Sequence, residues 1–371
     1  MKQNSTVKRS PKRGSAGLCG GLTIGLDLGD RSSRYCVLDA RGEICQEGSA
    51  ATTKQGLCQA LGARPRCRIA LEVGTHSPWV SRLLKQLGHE VFVANARKVR
   101  LISQSSRKDD RLDAQLLARL ARVDPQLLHP IQHRSEQAQQ DLLVIRVRAA
   151  LVEARTGLVN AARGMAKAAG ERLPACDADA LDTARLEALP GELQASLRPL
   201  VEQVESMTVK IHALDKQLEQ IARAQYPETA LLKQVSGVGT LIALTFVLTL
   251  EDRARFQKSR DVGCYLGLRP QRSDSGQSQP QLPITKEGDA YLRKMLVQGA
   301  HYILGWRGPD TDLRRWGLKL AVRGGKNAKK RAVVAVARKL GILLHRLWVT
   351  GEVYEPLRNS NARSRLKQSA A

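Results

Sequence analysis

The sequence is poor in aromatic residues, which limits how it can contact a partner. Phe, Trp and Tyr occur three, four and six times and make up 4% of the 371 residues. Proteins that hold nucleic-acid strands by stacking present aromatic rings to successive bases. With so few rings available, we expect charge, shape and backbone hydrogen bonds to dominate contacts with a polyanion.

Cysteine pairs and long apolar runs are also lacking. The seven cysteines form an odd number with no Cys-x-x-Cys pair, which argues against a disulfide framework and a zinc knuckle. The longest apolar runs, near 241–247 and 332–337, are far shorter than the ~20 residues of a membrane-spanning helix. We therefore expect a cytoplasmic protein with no membrane segment.

Acidic residues are outnumbered by basic ones. The chain has 60 Lys and Arg against 35 Asp and Glu, a formal net charge of +25, with an ordinary hydrophobic content of 42%. Such an excess attracts phosphate, so the composition predicts a globular protein that binds nucleic acid. At about 150 residues per domain, the length predicts two or three domains.

The distribution of residue types predicts an α/β domain followed by mainly helical parts. Three strand-like runs are followed by alternating helices and strands in the order βββαβαβα, including a helix at 96–102. This order is typical of a ribonuclease-H-like sheet, in which the first and fourth strands are neighbours. Farther on, helices are predicted near 240–250, 288–306 and 326–349. The predicted segments are a disordered basic arm (1–19), the α/β domain (20–130), a helical coiled-coil connector (131–225), a mainly helical domain (226–350) and a basic tail (351–371).

The sequence of the connector predicts two long helices, and the second carries a row of apolar residues that we call the apolar seam. From Leu193 to Ile221, apolar residues recur mostly every three or four positions. The seam has two interpretations that the sequence leaves open. It fits an antiparallel hairpin within one chain, and it fits pairing between two chains.

Four acidic residues stand out against this basic background. Asp27 lies in the first strand, Glu72 closes the fourth, and Asp110 and Asp113 are about one turn apart on the last helix of the domain. If the first and fourth strands are adjacent, the four carboxylates surround one cleft. Oxygen ligands suit Mg²⁺, and two Mg²⁺ ions about 4 Å apart are the usual catalyst of phosphodiester cleavage. In the alternative interpretation, Asp110 is only a helix cap.

Basic residues are concentrated near the end of the chain. Between Leu313 and Gly351 there are eleven Lys and Arg and no acid, and we expect Lys326, Lys329, Lys330 and Arg331 to bind a nucleic-acid backbone. Earlier, Gly237-Val238-Gly239 precedes an apolar helix. It is interpreted equally as a phosphate-binding turn or as a tight turn for packing.

Two sets of motifs carry a resemblance to a known family. Asp27, Glu72 and Lys108-Asp109-Asp110-Arg111-Leu112-Asp113-Ala114 resemble the Asp-Glu-Asp-Asp RuvC-like domain of the IS110/IS1111 family transposases. The segments 235–239, 264–270, 275–276, 284–289 and 291–293 resemble the C-terminal transposase domain of that family. The likeness extends over about residues 20 to 350.

The resemblance implies a site-specific recombinase that moves an insertion sequence between donor and target DNA. A guide RNA from the non-coding end of the element would select the target. The carboxylates, with two Mg²⁺ ions, and a serine that matches Ser275 would form a composite site. The enzyme would be a dimer or tetramer associated with the bacterial nucleoid, and the composite site could form within one protomer or between two.

The serine loop leaves some assignments open. Ser273 and Ser278 flank the matching Ser275 and remain alternative nucleophiles. A serine hydroxyl needs activation by a base or a metal, which the carboxylate-bound Mg²⁺ would provide. The basic residues expected to neutralise phosphates around the loop are Arg269, Arg272, Lys286 and Arg293.

Two other functions use the same features. A metal-dependent endonuclease of the Holliday-junction type would use the four carboxylates with water as nucleophile and would not need Ser275. A non-catalytic basic scaffold would need neither the carboxylates nor the serine.

Overall fold

The computed structural model describes residues 21–95, 98–99, 110–280, 282–325 and 327–360. The predicted basic arm, most of the helix predicted at 96–102, the tail beyond residue 360 and Lys326 lie outside these ranges. The chain forms two compact units, one ending at Arg134 and the other beginning at Ser135. The five-segment division is finer than these two units and stays a prediction.

The first unit is built on a five-stranded sheet with the order β3-β2-β1-β4-β5. β1 pairs with β2 and β2 with β3 in antiparallel fashion, whereas β1 and β4, and β4 and β5, are parallel. The predicted contact between the first and fourth strands is therefore confirmed. The strands are β1 (Thr23–Asp27), β2 (Ser32–Leu38), β3 (Ile44–Ala51), β4 (Arg68–Glu72) and β5 (Glu90–Ala94).

In the part of the first unit that the structure describes, three helices cover the sheet, and the alternation of side chains along β1 shows how. Ile24 and Leu26 are buried in a core with residues of α1 (Lys54–Leu61) and α2 (Ser77–Gln86). Successive residues of a strand face opposite sides of the sheet. Gly25 therefore faces the other side, where α3 (Asp110–Val123) lies.

The contact between α3 and the sheet is made by backbone and small side chains. A Cβ atom placed on Gly25 would lie 1.9 Å from the Ala114 carbonyl oxygen and 2.6 Å from the Ala118 nitrogen. Ala114 and Ala118 are buried beside Cys36 and Leu38. Because β1 carries no side chain at this position, the helix can rest directly on the strand.

The second unit begins with two long helices, α4 (Glu136–Ala168) and α5 (Gly191–Gln225). They are antiparallel, since the start of α4 packs near the end of α5 and its later turns pack near Leu197 and Val201. Arg148 of α4 also pairs with Asp215 of α5. The apolar seam is thus covered within the chain, as in the hairpin interpretation.

The rest of the second unit is mainly helical and surrounds one core. Its described helices are α6 (Glu228–Leu232), α7 (Thr240–Leu250), α8 (Ser259–Tyr265), α9 (Ala290–Leu304), α10 (Asp312–Ala321) and α11 (Ala328–Thr350). The helix α7 is buried along Ala243–Leu250, because other helices cover it on several sides. The helices predicted at 240–250, 288–306 and 326–349 are present as α7, α9 and α11 within two residues of the expected bounds, whereas α6, α8 and α10 were not predicted.

The sequence predicts neither a membrane-spanning helix nor a disulfide framework. None of the described helices is long and apolar enough to cross a membrane. The six cysteines in the described ranges are all free thiols.

Replacing Gly25 with Ala tests the close approach of α3. We expect Gly25→Ala to lower the free energy of unfolding by about 1–3 kcal/mol, because the new methyl group meets helix backbone that cannot rotate away. Urea unfolding followed by circular dichroism measures the loss.

Gly74→Ala is the matched control, since no atom lies within 4 Å of a Cβ at Gly74. The control should stay within about 0.5 kcal/mol of the unmodified protein. Equal stability of the two variants would contradict the packing described for Gly25.

Candidate catalytic and nucleic-acid-binding sites

Two of the predicted carboxylates stand at the carboxyl ends of neighbouring parallel strands. The pairing between β1 and β4 ends at Leu26 and Leu71. Asp27 and Glu72 follow directly as the final residues of the two strands. Asp27 lies two positions after Gly25, and Glu72 lies two positions after Ala70; both earlier residues face α3. Because side chains alternate along a strand, Asp27 and Glu72 lie on the same side of the sheet as α3. Both side chains are half-buried.

The other two carboxylates belong to the first turn of α3. Asp110 is exposed and Asp113 is half-buried. Glu47 of β3 fixes this end of the helix, because it forms an ion pair with Arg111 and accepts a hydrogen bond from Gln115 Nε2 at 2.6 Å. These two partners lower the pKa of Glu47.

The far end of α3 is also attached to the sheet. Arg68 Nη1 donates to the Ala121 carbonyl at 3.1 Å, while its Nε pairs with Glu90 at 3.0 Å. Arg122 donates to the carbonyls of Gly21 and Ala40. Anchors at both ends and the backbone contact at Gly25 together fix where Asp110 and Asp113 lie.

Sequence patterns did not single out Glu47 and Arg68 as positioning residues. The available signal was a charged residue within each strand. Alternation along a strand can indicate which face such a residue takes. It cannot show that the same face is covered by a helix about fifty positions or more along the chain.

The four carboxylates interact electrostatically. Burial raises the pKa of Asp27 from 3.8 to about 6, with further contributions from the negative charges of Asp110, Asp113 and Glu72. Burial and the charge of Asp113 also raise the pKa of Glu72. The fold therefore holds carboxylates of like charge close together, which makes the ionised forms of Asp27 and Glu72 less favourable.

The oxygen atoms of the four carboxylates are suitable ligands for a divalent cation, although the side chains are not arranged around one. Within the described ranges, no group of three or more His, Cys, Asp or Glu is placed to hold a metal ion. Within the same ranges, no Lys or Arg forms an ion pair with Asp27 or Glu72. Carboxylate oxygens are the ligands that Mg²⁺ prefers, and a cation would relieve their mutual repulsion. The metal site with four ligands stays a prediction.

The loop that holds the candidate serine is a short hairpin in the second unit. Gln271 N donates to the Pro283 carbonyl at 2.9 Å, and Thr285 N donates to the Arg269 carbonyl at 3.0 Å. At the tip, the backbones of Ser275 and Ser278 exchange hydrogen bonds of 3.2 and 3.0 Å. The side chains of Ser273, Ser275 and Ser278 are all exposed. The tip therefore presents each of the three hydroxyl groups to solvent.

The base of this hairpin is tightly packed. A Cβ on Gly267, whose φ is 65°, would lie 2.3 Å from the backbone nitrogen and oxygen of Glu287. Arg293 Nη1 donates to the carbonyls of Leu266 and Glu287 at 3.1 and 2.9 Å. Arg293 thus holds the base of the hairpin together, whereas the side chains of Arg269, Arg272 and Lys286 are exposed.

The basic segment from 313 to 351 is less available than its composition suggests. Arg315 pairs with Asp310, Arg346 pairs with Glu352, and Arg314 donates to two backbone carbonyls. Lys339 lies over the ring of Trp316, 3.8 Å from its centroid. Several of the eleven charges are therefore used within the protein.

The start of α11 keeps its positive charges exposed. Lys329, Lys330 and Arg331 lie in the first turn and are exposed, and this turn has no acid. Positive charge at a helix N-terminus opposes the helix dipole and is mildly destabilising. Helix stability does not account for these lysines, but the binding of an anion would.

The Gly237-Val238-Gly239 turn packs as a tight turn. Gly237 has a φ of 85°, and a Cβ there would lie 3.0 Å from the Gly299 carbonyl of α9. Gly239 is the N-cap of α7 and provides no side chain. The packing interpretation is observed, and phosphate binding at this turn stays a prediction.

Comparison with known proteins assigns a class to this arrangement. Residues 24–169 match a family profile for transposases with a DEDD domain of the IS110 type, and residues 229–313 match one described as transposase IS116/IS110/IS902 family. The chain is therefore a transposase, an enzyme that cuts and rejoins DNA. Together the two profiles cover more than half of its length, and the chain belongs to the IS110 family of transposases.

Individual relatives agree with this assignment. A probable family 20 transposase of Pseudomonas aeruginosa is 29% identical over 300 residues, which are 79% of this chain and 87% of the relative. The transposase for insertion sequence element IS1111A of Coxiella burnetii is 26% identical over 346 residues, 89% of this chain and 90% of the relative. The transposase for insertion sequence element IS1328 of Yersinia enterocolitica is 29% identical over 284 residues, 75% of this chain and 82% of the relative.

Changing Asp27 to Asn tests the electrostatic state of the carboxylates. The folded protein holds the Asp27 proton with a pKa of about 6, against 3.8 ordinarily. The contribution of Asp27 to folding stability is therefore lost as the pH rises from about 4 to above 6. We expect Asp27→Asn to flatten this part of the pH profile and to reduce the increase in melting temperature that Mg²⁺ produces at pH 8.

Glu43→Gln is the control, because Glu43 is an exposed acid between β2 and β3. It should keep both the pH profile and the Mg²⁺ response. Thermal unfolding across pH, with and without Mg²⁺, gives both readouts. An unchanged Mg²⁺ response in Asp27→Asn would exclude Asp27 as a ligand.

The salt dependence of DNA binding tests the start of α11. Each phosphate contact contributes about 0.9 to the slope of log affinity against log salt, so the Lys329→Gln and Lys330→Gln pair should reduce the slope by about 1.8. Fluorescence anisotropy with labelled duplex DNA at several salt concentrations measures it.

A variant that carries Arg315→Gln and Arg346→Gln loses the same number of charges, both of which are paired with acids. Its slope should stay close to that of the unmodified protein. If both variants change the slope equally, net charge rather than the α11 surface governs binding.

Proposed function

We propose that this transposase is a recombinase of an insertion sequence that is guided by an RNA encoded in the element. Asp27, Glu72, Asp110 and Asp113 would hold Mg²⁺, and Ser275 would attack the DNA backbone. The observation that carries the proposal is the position of Asp27 and Glu72 at the ends of neighbouring parallel strands covered by α3, whose first turn carries Asp110 and Asp113. A protein with a net charge of +25 has many cationic side chains, yet none in the described ranges forms an ion pair with Asp27 or Glu72.

The carboxylates would position the metal and leave the covalent step to the serine. When bound, two Mg²⁺ ions would activate the nucleophile and stabilise the leaving oxygen. Glu47, Arg68 and Gly25 act as positioning residues, because they hold α3 where its two aspartates face Asp27 and Glu72. A helix that only covers a sheet would not need to be attached to it at both ends.

The serine step is a transesterification. The Ser275 Oγ would form a bond to phosphorus while the phosphodiester bond to one DNA strand breaks, and the proton lost from the serine hydroxyl is balanced by the proton that the leaving DNA oxygen takes up to become a hydroxyl. Attack by a hydroxyl of the partner strand then releases Ser275 and forms the new phosphodiester. One bond forms for each bond broken, so no nucleotide hydrolysis is needed. The exposed tip of the hairpin gives Ser275 the access that this step requires.

The partners follow from the same scheme. We propose that the carboxylates and Ser275 act on one scissile phosphate within a dimer or tetramer, supplied by one protomer or by two. The exposed basic residues of the hairpin and of α11 would bind the phosphates of donor DNA, target DNA and guide RNA. Because the substrate is DNA, the enzyme would work at the nucleoid. The target would be chosen by base pairing with the guide.

Substitution of the serines separates this proposal from hydrolysis by water. We expect Ser275→Ala to abolish recombination between plasmids that carry donor and target sites, and to abolish a covalent protein–DNA adduct on denaturing gels. Ser273→Ala and Ser278→Ala are matched controls, because both serines are exposed in the same hairpin. Adducts that persist in Ser275→Ala but vanish in a control variant would move the nucleophile to that serine.

Asp27→Ala supplies the second arm of the test. It should abolish both recombination and adduct formation, since Ser275 alone cannot activate itself. Cleavage that requires Asp27 but not any serine would establish the endonuclease that uses water. Recombination that survives Asp27→Ala would remove the carboxylates from the chemistry.

The guide can be tested separately by sequencing RNA that co-purifies with the protein. A discrete RNA from the non-coding end of the element is the expected result. Random cellular RNA would show that the basic surfaces bind without a dedicated guide, and the proposed guidance would fail.

A further inference from the structure

The turn after α9 holds a tryptophan in an exposed position. Trp306 is 84% exposed, and all four tryptophans lie in the described part of the chain. Trp348 is buried against Phe246, Trp316 lies under Lys339, and Trp79 donates to His76. The other three tryptophans are buried or half-buried, whereas most of the Trp306 side chain faces solvent.

The turn that carries Trp306 is held rigidly. Gly305 N donates to the His301 carbonyl at 2.8 Å and ends α9, and Gly308 N donates to the Gly305 carbonyl at 3.1 Å. Trp306 and Arg307 are therefore the two central residues of a tight turn. From α10, Arg314 Nη1 donates to the Ile303 carbonyl at 2.6 Å and also to that of Gly305. The ring is displayed by a fixed backbone, which lowers the entropy lost when a ligand binds.

A cation lies directly beside the ring. The Arg307 guanidinium is 4.5 Å from the centre of the Trp306 ring, and its side chain is exposed. The nearest acid in sequence, Asp310, is paired with Arg315 through two hydrogen bonds of 2.8 and 2.5 Å. The Asp310 charge is thus compensated, and the turn presents an aromatic surface beside an arginine.

The ligand that matches these two groups is a nucleotide with an unstacked base. The flat ring offers a surface for a base, and arginine pairs with phosphate through charge-assisted hydrogen bonds. Bases within a duplex are already stacked and paired, so only a single-stranded segment can use both groups. An apolar protein partner would match the ring but not the adjacent cation.

We propose that Trp306 and Arg307 form a stacking site for one unpaired base of a nucleic-acid strand, with Arg307 bound to the adjoining phosphate. This inference rests on the proposed function, because an RNA guide and an opened DNA target both provide single-stranded segments. The site adds one sequence-tolerant base contact to a surface otherwise governed by charge.

Binding of single strands to the full-length protein tests this site. The probes are an RNA and a DNA strand of the same sequence, each about 12 nucleotides long, and the matching DNA duplex. We expect Trp306→Ala to weaken binding of single strands about 5- to 100-fold, as loss of one stacked base does. Duplex affinity should not change, because phosphate contacts determine it.

Two further variants distinguish stacking from a structural effect. Trp306→Phe keeps a ring and should retain most of the affinity. Val322→Ala alters another apolar residue, 81% exposed after α10, and should leave the affinity unchanged. Tryptophan fluorescence provides an independent readout, since single strands should quench the unmodified protein more strongly than Trp306→Phe.

The outcomes separate this inference from the proposed function. A loss confined to the RNA strand identifies the guide as the source of the base, and a loss confined to the DNA strand identifies the opened target; either supports the site. Unchanged affinity of Trp306→Ala for both strands, or equal loss on duplex and single strands, overturns it while the proposed function stands. If the unmodified protein binds no nucleic acid, the proposed function fails and the stacking site fails with it.

Discussion

The direct contact between α3 and β1 is the constraint on which the candidate catalytic site depends. Gly25 has no side chain, so the backbone at Ala114 and Ala118 rests against the strand. Any larger residue would lift the helix and carry Asp110 and Asp113 away from the strand ends. The ion pair of Glu47 with Arg111 and the hydrogen bond from Arg68 to Ala121 then fix the rotation and tilt of the helix. The packing of α3 on Gly25 thus helps to set the positions of Asp110 and Asp113, which lie about one turn away on the same helix.

The two units differ in how their charged residues are paired. At the end of the sheet, burial, together with the negative charges of Asp110, Asp113 and Glu72, raises the pKa of Asp27 to about 6. In the second unit, several arginines pair with acids or donate to backbone carbonyls, whereas the side chains of Lys286, Lys329 and Lys330 are exposed. The composition alone would have allowed any of the basic residues to neutralise the acids. In the described ranges, however, no Lys or Arg forms an ion pair with Asp27 or Glu72, as the proposed cation site requires.

Local patterns predicted much of the fold, and the limits of the prediction have physical causes. The bounds of α7 agree with those expected, since it is a short apolar run between Gly239 and Glu251. The helices α8 and α10 were not predicted, because the first is short and the second lies among basic residues that suggested a binding surface. The roles of Glu47 and Arg293 depend on contacts with distant backbone, which no local pattern encodes. Trp306 was expected at the end of a helix, but Gly305 ends α9 earlier and leaves the ring exposed.

The lysines at the start of α11 also affect how the free protein behaves. Lys329 and Lys330 repel one another and oppose the dipole of their own helix, so the isolated chain carries an unfavourable interaction that a bound polyanion removes. Ligands that bind only the folded state raise its stability in proportion to their occupancy. Nucleic acid bound at this end of α11, as proposed above, would therefore stabilise the folded chain, and the lifetime of the protein in a cell would depend on how much nucleic acid is available to it.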